Sequence, residues 1–314
     1  MSVVFNVALP IFTIVLAGYL AGAFGLLGRE APEIFDKFVY WIALPPILFL
    51  GTARHPPEVF FYKPFIFAFL GSALVVFTAG AALGWLLHRE RPGVMCLQGL
   101  TASFSNTGYI GIPLFLAAFG STNLGPPILA TVVLSGGLIA VSIILLELSR
   151  NLRKGFWLAL ATVLMALLTN PLIVAPALGL MWSTWASTVA MPPSVVNLCE
   201  LLGAAAGPCA LFSVGLFLST HPIETDWNEI GWITALKLLW QPVLTWFLAD
   251  HVFFMEPFWM ASAVILSALP TGGLTYVVAE HYGTYTERNA AVIVVSTLLS
   301  VIPVSALLVL YGGV

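Results

Sequence analysis

Two stretches hold residue types that could do chemistry inside an otherwise apolar chain. The first is Thr101-Ala-Ser-Phe-Ser-Asn-Thr-Gly-Tyr-Ile-Gly-Ile-Pro-Leu114, set in a run from Gly93 to Gly120 that carries no charge. The second is Ser267-Ala-Leu-Pro-Thr-Gly-Gly-Leu-Thr275. A helix that crosses a bilayer is expected to be apolar along its length, yet each of these has Ser, Thr, Gly and Pro at its middle. Proline removes a backbone donor and glycine loosens a helix, so both patterns predict an interrupted helix. Backbone groups freed at membrane depth are tolerated only against protein or a water-filled cavity.

The chemistry such a break offers is anion binding. Each interruption starts a new half-helix, whose first N–H groups lack partners and whose dipole presents its positive end. Asn106 or Thr107 can cap one start and Thr271 the other. Two starts converging near the midplane make a pocket for a small carboxylate, for the reason phosphates sit at helix N-termini. The candidate binding residues are Ser105, Asn106, Thr107 and Gly108 on one side, with Pro270, Thr271, Gly272 and Gly273 on the other. A plainer alternative is that Gly and Pro only kink two packed helices, with Ser and Thr satisfying the backbone. A centred, symmetric pair favours the site.

Lys237 adds a charge. It lies about 3 Å from the middle of its hydrophobic span at about 1.5 Å per residue. A charge there costs roughly 2.5–3.5 kcal/mol and ordinarily serves a function. Gln241 faces the same side one turn later, and Pro242 distorts the helix there. Lys237 either binds the carboxylate, with Gln241 assisting, or holds the carbonyl ends of the broken helices.

The other polar residues read more plainly. Asp36, Lys37, Glu147 and Glu200 sit near helix ends as interfacial residues. Glu280 and His281 close a helix, as a proton relay or, more simply, as a solvated end. His55, His88, His221 and His251 lie near loops without metal spacing, and Cys96, Cys199 and Cys209 read as buried bystanders. No metal or cofactor is expected. No HExxH, GxSxG, P-loop or dinucleotide motif is present. Ser103 and Ser105, the buried nucleophile candidates, have no base beside them, which disfavours an intramembrane enzyme. Nothing suggests the charged rings or filter of a channel.

Membrane helices must position these residues. The chain has 314 residues, is 60% hydrophobic and 8% charged, and has a mean hydropathy of +1.02. Ordinary chains are about a quarter charged, so the fold class is an all-α polytopic membrane protein. The net charge of −3 and the lack of a basic run give no sign of nucleic acid. The start, MSVVFNVALPIF, lacks the positive n-region of a signal peptide, so the first segment is expected to remain as a helix.

Ten segments can span a bilayer. They run at about 3–26, 33–52, 64–88, 94–119 and 125–148 within residues 1–150. In residues 151–314 they run at about 156–181, 193–218, 229–249, 258–282 and 288–311. Of the eleven basic residues, Arg29, Arg89, Arg91, Arg150, Arg153, Lys154 and Arg288 fall in one set of alternate loops. Arg54 and Lys63 fall in the other, and Lys37 and Lys237 lie within helices. That bias puts the first set in the cytoplasm and both termini outside. Five helices per half make the second half enter upside down. Leu48-Phe49 before Gly51 and His55-Pro56 matches Leu211-Phe212 before Gly215 and His221-Pro222, and Ala130–Ser135 matches Ala291–Ser296. With the two centred breaks, these predict an inverted repeat, whose paired interruptions are the best sequence pointer to a transporter's site.

The run Asn106-Thr-Gly-Tyr-Ile-Gly-Ile-Pro113 resembles the fourth-helix signature of the auxin efflux carrier family. Trp41-Ile-Ala-Leu-Pro45, Asn170-Pro171, Ala210-Leu-Phe-Ser-Val-Gly215 and Val295-Ser-Thr-Leu-Leu-Ser300 fit the same pattern, and Lys237-Leu-Leu-Trp-Gln-Pro242 resembles the malonate transporters within it. The similarity covers the whole chain. It implies two inverted five-helix repeats with crossed broken helices 4 and 9, in an elevator-type, bile-acid-symporter-like and NhaA-like architecture. Helices 1, 2, 6 and 7 would be a dimerising scaffold, and helices 3–5 and 8–10 would carry a small organic anion such as auxin or malonate. The short Ser149–Gly155 connection resembles the bacterial or archaeal type, set in the inner (plasma) membrane and its lipid. A sodium- or proton-coupled symporter is the alternative on this architecture. Relatives often have Asn after the ninth-helix Pro, whereas here Thr271 follows Pro270, which leaves the substrate open.

Overall fold

The computed structural model describes residues 9–28, 30–150, 156–185, 191–221 and 226–311. Arg29, Arg153, Lys154 and Pro222, used above for orientation and repeat, lie outside them, as do residues 3–8 of the first segment. Every element among the described residues is helical. In chain order they are α1 (Leu9–Ala23), α2 (Ala31–Ala53), α3 (Lys63–His88), α4 (Pro92–Ser103), α5 (Thr107–Phe119) and α6 (Ser121–Ser149). Then follow α7 (Phe156–Thr169), α8 (Pro171–Trp185), α9 (Pro193–Thr220) and α10 (227–252). The last are α11 (Pro257–Ser267), α12 (Leu274–Tyr282) and α13 (Thr286–Tyr311).

Five described helices are long and apolar enough to cross a membrane, namely α2, α3, α6, α9 and α13. A sixth span results if α7 and α8, bent by 66°, count as one. The bend falls at Asn170, which precedes Pro171 and is therefore pushed out of the helical region. Its Oδ1 accepts from the Leu172 N–H (2.9 Å) and from the Tyr40 hydroxyl (3.0 Å).

Proline does two jobs in this chain. At the first turn it opens helices, as at Pro64, Pro92 and Pro257, where its missing N–H has no intrahelical role. At three places inside longer helices it follows a widened turn, though Pro176, Pro208 and Pro303 sit in regular helix. The wide turns Val39–Ala43, Thr107–Gly111 and Leu236–Trp240 each end two residues before a proline: Pro45, Pro113 and Pro242. A ring that withholds an N–H and crowds the preceding carbonyls favours the looser i→i+5 pattern.

Two close approaches set the packing of one group of helices. α1 runs along α9, with Gly18 against the Phe212 carbonyl. α2 runs along α8, with Gly179 facing Thr52 and the Phe49 carbonyl, so that a Cβ on Gly179 would stand 2.5 Å from the Phe49 oxygen. Gly179→Val forces these backbones apart and is expected to cost about 1–3 kcal/mol. Thermal unfolding in detergent, followed by tryptophan fluorescence, checks this; an unchanged midpoint would contradict it.

Polar contacts gather at two ends. At one, Arg54 pairs with Glu200 (2.5 Å), His55 Nε2 meets the Thr122 carbonyl (2.9 Å), and Ser183 donates to the His55 carbonyl (2.7 Å). At the other, Arg288 bridges Glu90 (2.7 Å) and Glu229 (2.5 Å), and Tyr282 donates to Glu147 (2.9 Å). Glu147 thus ties two helices together, while Glu200, about half exposed, pairs at the surface as an interfacial residue. Lys37 pairs only with Glu33, both exposed, as an interfacial residue should.

Candidate functional site

The two interrupted segments meet. α4 ends at Ser103 and α5 starts at Thr107; α11 ends at Ser267 and α12 starts at Leu274. Between them Ser105 and Thr271 form an antiparallel bridge. The Asn106 N–H donates to the Pro270 carbonyl and the Gly272 N–H to the Phe104 carbonyl, both at 2.9 Å. Extended residues in two helix breaks thus satisfy each other's backbone, which is how non-helical chain is stabilised away from water. Gly272 is needed here, since a Cβ would stand 2.9 Å from the Phe104 ring and 3.3 Å from the Asn106 Cα.

Four helix ends converge on this bridge: two C-termini and two N-termini. The C-termini are served by one neighbour, α10. Lys237 Nζ donates to the Ser267 carbonyl (2.6 Å), Gln241 Oε1 (2.7 Å) and Ser105 Oγ (2.8 Å). Gln241 Nε2 donates to the Ser103 carbonyl (2.8 Å). Lys237 and Gln241 are both 0% exposed. Of the two roles open from sequence, this conformation has Lys237 holding carbonyl ends: all three ammonium donors are engaged within the protein. A cation at the negative end of a helix dipole is stabilised there.

The N-termini differ from each other. Asn106 caps α5, its Oδ1 accepting from the Tyr109 N–H at 3.3 Å. The expectation that Thr271 caps α12 is corrected, because its hydroxyl donates instead to the Thr101 carbonyl (2.9 Å) and its N–H to Ser296 Oγ (3.2 Å). Thr271 is spent on the bridge and cannot also turn to the helix it precedes. The start of α12 falls to Gly273, which has no side-chain cap, is exposed, and has open space where a Cβ would be. Ser105, Thr107, Gly108, Pro270, Thr271 and Gly272 are buried, and Asn106 is 6% exposed.

A polar surround fixes the bridge. Thr131 Oγ1 donates to Thr107 Oγ1 (2.9 Å), Asn289 Nδ2 to Thr101 Oγ1 (2.6 Å), and Thr275 Oγ1 to Asn289 Oδ1 (3.1 Å). On the open side, Tyr276 of α12 meets His221 Nε2 (3.3 Å), whose ring stacks on Phe217. Tyr109 donates to the Asp36 backbone carbonyl (3.3 Å), and Asp36 Oδ1 accepts from Ser213 (2.5 Å).

One sequence reading needs correction. Asp36 is no ordinary interfacial residue: it joins α2 to α9 and touches the half-helix that Asn106 opens. Ser105 has a neighbour that local sequence does not show, Lys237, 132 positions away in the chain but 2.8 Å away in space, and as an ammonium donating to the hydroxyl it is no base to it. Both are 0% exposed, so no substrate carbonyl reaches the pair. No cluster that could hold a metal ion occurs among the described residues.

Comparison with known proteins settles the family. The model of the family described as "Membrane transport protein" matches residues 3–308, nearly the whole chain. The chain belongs to that family. A member from Rhizobium meliloti (strain 1021) named "Putative malonate transporter" is 29% identical over 310 residues, 99% of this chain and 96% of its own. The Escherichia coli (strain K12) "Uncharacterized transporter YfdV" is 25% identical over 297 residues, 92% of each chain. One from Methanocaldococcus jannaschii, "Uncharacterized transporter MJ1031", is 22% identical over 310 residues, 96% of each. The resemblance to auxin efflux carriers is thereby borne out. Like these members of the family, the protein is a multi-pass membrane transporter and not an enzyme.

Proposed function

We propose that this transporter carries a small organic anion, a mono- or dicarboxylate of the malonate or auxin kind, by an elevator motion. The observation that carries the reading is the paired break. Two interrupted helices are joined by the Ser105–Thr271 bridge, and an uncapped helix start lies open at Gly273. The Thr275 and Tyr276 N–H groups there bond back to the Gly272 and Gly273 carbonyls, so the Gly273 and Leu274 N–H groups and the positive dipole end are what this start offers an anion. The relative named for malonate supports the substrate class.

Contacts exchange between the halves as an inverted repeat requires. Phe49 and Phe212, matched in sequence, each turn a carbonyl toward a glycine of the other half, Gly179 and Gly18. α1 lies on α9 as α2 lies on α8, and α3 lies on α4 as α10 lies on α11. The Asn106–Pro270 and Gly272–Phe104 bonds are themselves such an exchange. Counting α4 with α5, α7 with α8, and α11 with α12 as one span each gives ten.

Polar ties support the division into moving and static parts. Thr245 donates to Ser72 (2.7 Å), Gln98 to Glu229 (2.6 Å) and Asn289 to Thr101 (2.6 Å), joining α3–α6 with α10–α13. α1, α2, α8 and α9 pack mostly on one another and, with α7 as the first part of the sixth span, form the scaffold, which dimerises. Tyr109–Asp36 and Tyr276–His221 link the two parts. The basic loops sit in the cytoplasm, both termini outside, in the inner membrane. Uptake of radiolabelled malonate, auxin and other carboxylates into proteoliposomes tests the reading. Saturable uptake of one of them, competed by its unlabelled form, supports it; no uptake of any would end it.

A further inference from the structure

We propose that the Lys237 ammonium is a built-in cation. It fills, where the two breaks meet, a place that the same oxygens would otherwise give to a small monovalent cation, so the transporter runs without sodium or potassium as coupling ion. This rests on the transport reading above and deepens it.

The ligand set is that of a cation site. Lys237 Nζ has a serine hydroxyl, an amide carbonyl and a backbone carbonyl at 2.8, 2.7 and 2.6 Å. These are neutral, hard oxygens of the kind that hold group-one ions in proteins. The distances are those at which ammonium and potassium are ordinarily held. An ammonium has three donors beyond its stem, and here there are three oxygens.

The place also calls for positive charge. The Ser267 carbonyl closes α11, and the Ser103 carbonyl closes α4 through Gln241, so two negative dipole ends point at one spot. Among the described residues, no carboxylate pairs with the Lys237 ammonium. Glu229, earlier on the same helix, is engaged by Arg288, Gln98 and Tyr285. Ser105, Lys237, Gln241 and Ser267 are all 0% exposed, so the cation is shut in and cannot exchange while it is tethered.

The experiment has three arms. Wild-type uptake of the carboxylate is compared in sodium, potassium and N-methylglucamine, the last too large for the site. Equal rates are expected; a loss on the order of tenfold without sodium or potassium overturns the proposal. Lys237→Ala opens the space the ammonium filled. Its uptake is expected to fail in N-methylglucamine and to return with ammonium or methylammonium, whereas Lys237→Met, which keeps the space filled, is not rescued. Activity of Lys237→Ala without any small cation, or no rescue of a folded protein, overturns the proposal.

The third arm does not need transport. Methylammonium should raise the unfolding midpoint of purified Lys237→Ala by at least about 2 °C over N-methylglucamine, and leave wild type and Lys237→Met unmoved. If wild type moves no carboxylate, the substrate reading fails while this arm still decides the cation. If Lys237→Ala cannot be purified folded, the wild-type ion comparison decides alone.

Discussion

Lys237→Met is expected to abolish uptake while lowering stability only moderately. Met matches the Lys stem but brings no donor. The Ser267 carbonyl and Gln241 Oε1 then lose their partner inside the protein, at about 1–3 kcal/mol each. Ser105 Oγ lies 3.5 Å from the Ser267 carbonyl and can turn to it, recovering part of that loss. Removing a buried charge also relieves its desolvation, which offsets more. Stability is therefore not where the damage concentrates. Two helix C-termini meet without a cation, and the bridge that sets the start of α12 loses its anchor. The check is uptake in proteoliposomes together with unfolding in detergent. Full uptake by Lys237→Met would show that the ammonium does not organise the crossing.

Arg288→Met is expected to give the larger loss of stability. Glu229 is 2% exposed and takes Arg288 Nε at 2.5 Å, with Gln98 and Tyr285 as its other donors. Without Arg288 its carboxylate keeps only neutral partners. Losing a hydrogen bond to a charged group costs about 1.5–3 kcal/mol, and breaking a fully buried pair about 3–5 kcal/mol. Because the Arg288 side chain is 32% exposed, the lower range applies. The loss also frees Glu90 and loosens the loops that start α4 and α13. A double variant, Glu229→Gln with Arg288→Met, is expected to unfold at a higher temperature than Arg288→Met alone, since no uncompensated carboxylate remains. Strict additivity of the two changes would contradict the pairing.

The membrane class and the two breaks could be read from sequence because they follow from local composition. Ser-Asn-Thr-Gly and Pro-Thr-Gly-Gly within uncharged runs favour an interrupted helix over a mere kink, and the structure interrupts both there. Which partner each freed group takes was not legible. Lys237 had two roles open, and only spatial placement brings Ser105 and Ser267, 132 and 30 positions away, to its amine. Thr271 looked like a cap but turns its hydroxyl to α4. Glu229 and Arg288 are 59 positions apart with nothing local to join them. Asp36 looked like an ordinary interfacial residue because its partner, Ser213, lies 177 positions on. Periodicity reports what a residue faces, not whom it meets. The bend at Asn170, by contrast, follows from the Pro171 beside it.

Binding at the α12 start tests the anion site most directly, and Gly273 allows it. Its backbone is helical (φ −59°, ψ −21°) and a Cβ meets open space, so a side chain fits without strain. Asp and Asn are both good N-caps, so neither Gly273→Asp nor Gly273→Asn should destabilise the fold. Equilibrium binding is measured with the best ligand from a panel of mono- and dicarboxylates, malonate included. Gly273→Asn, whose neutral oxygen competes for the same N–H groups, should weaken that binding only modestly, while Gly273→Asp, which plants a carboxylate where the guest's must sit, should lose it by on the order of tenfold or more. Binding by Gly273→Asp as tight as wild type would mean that the anion sits elsewhere.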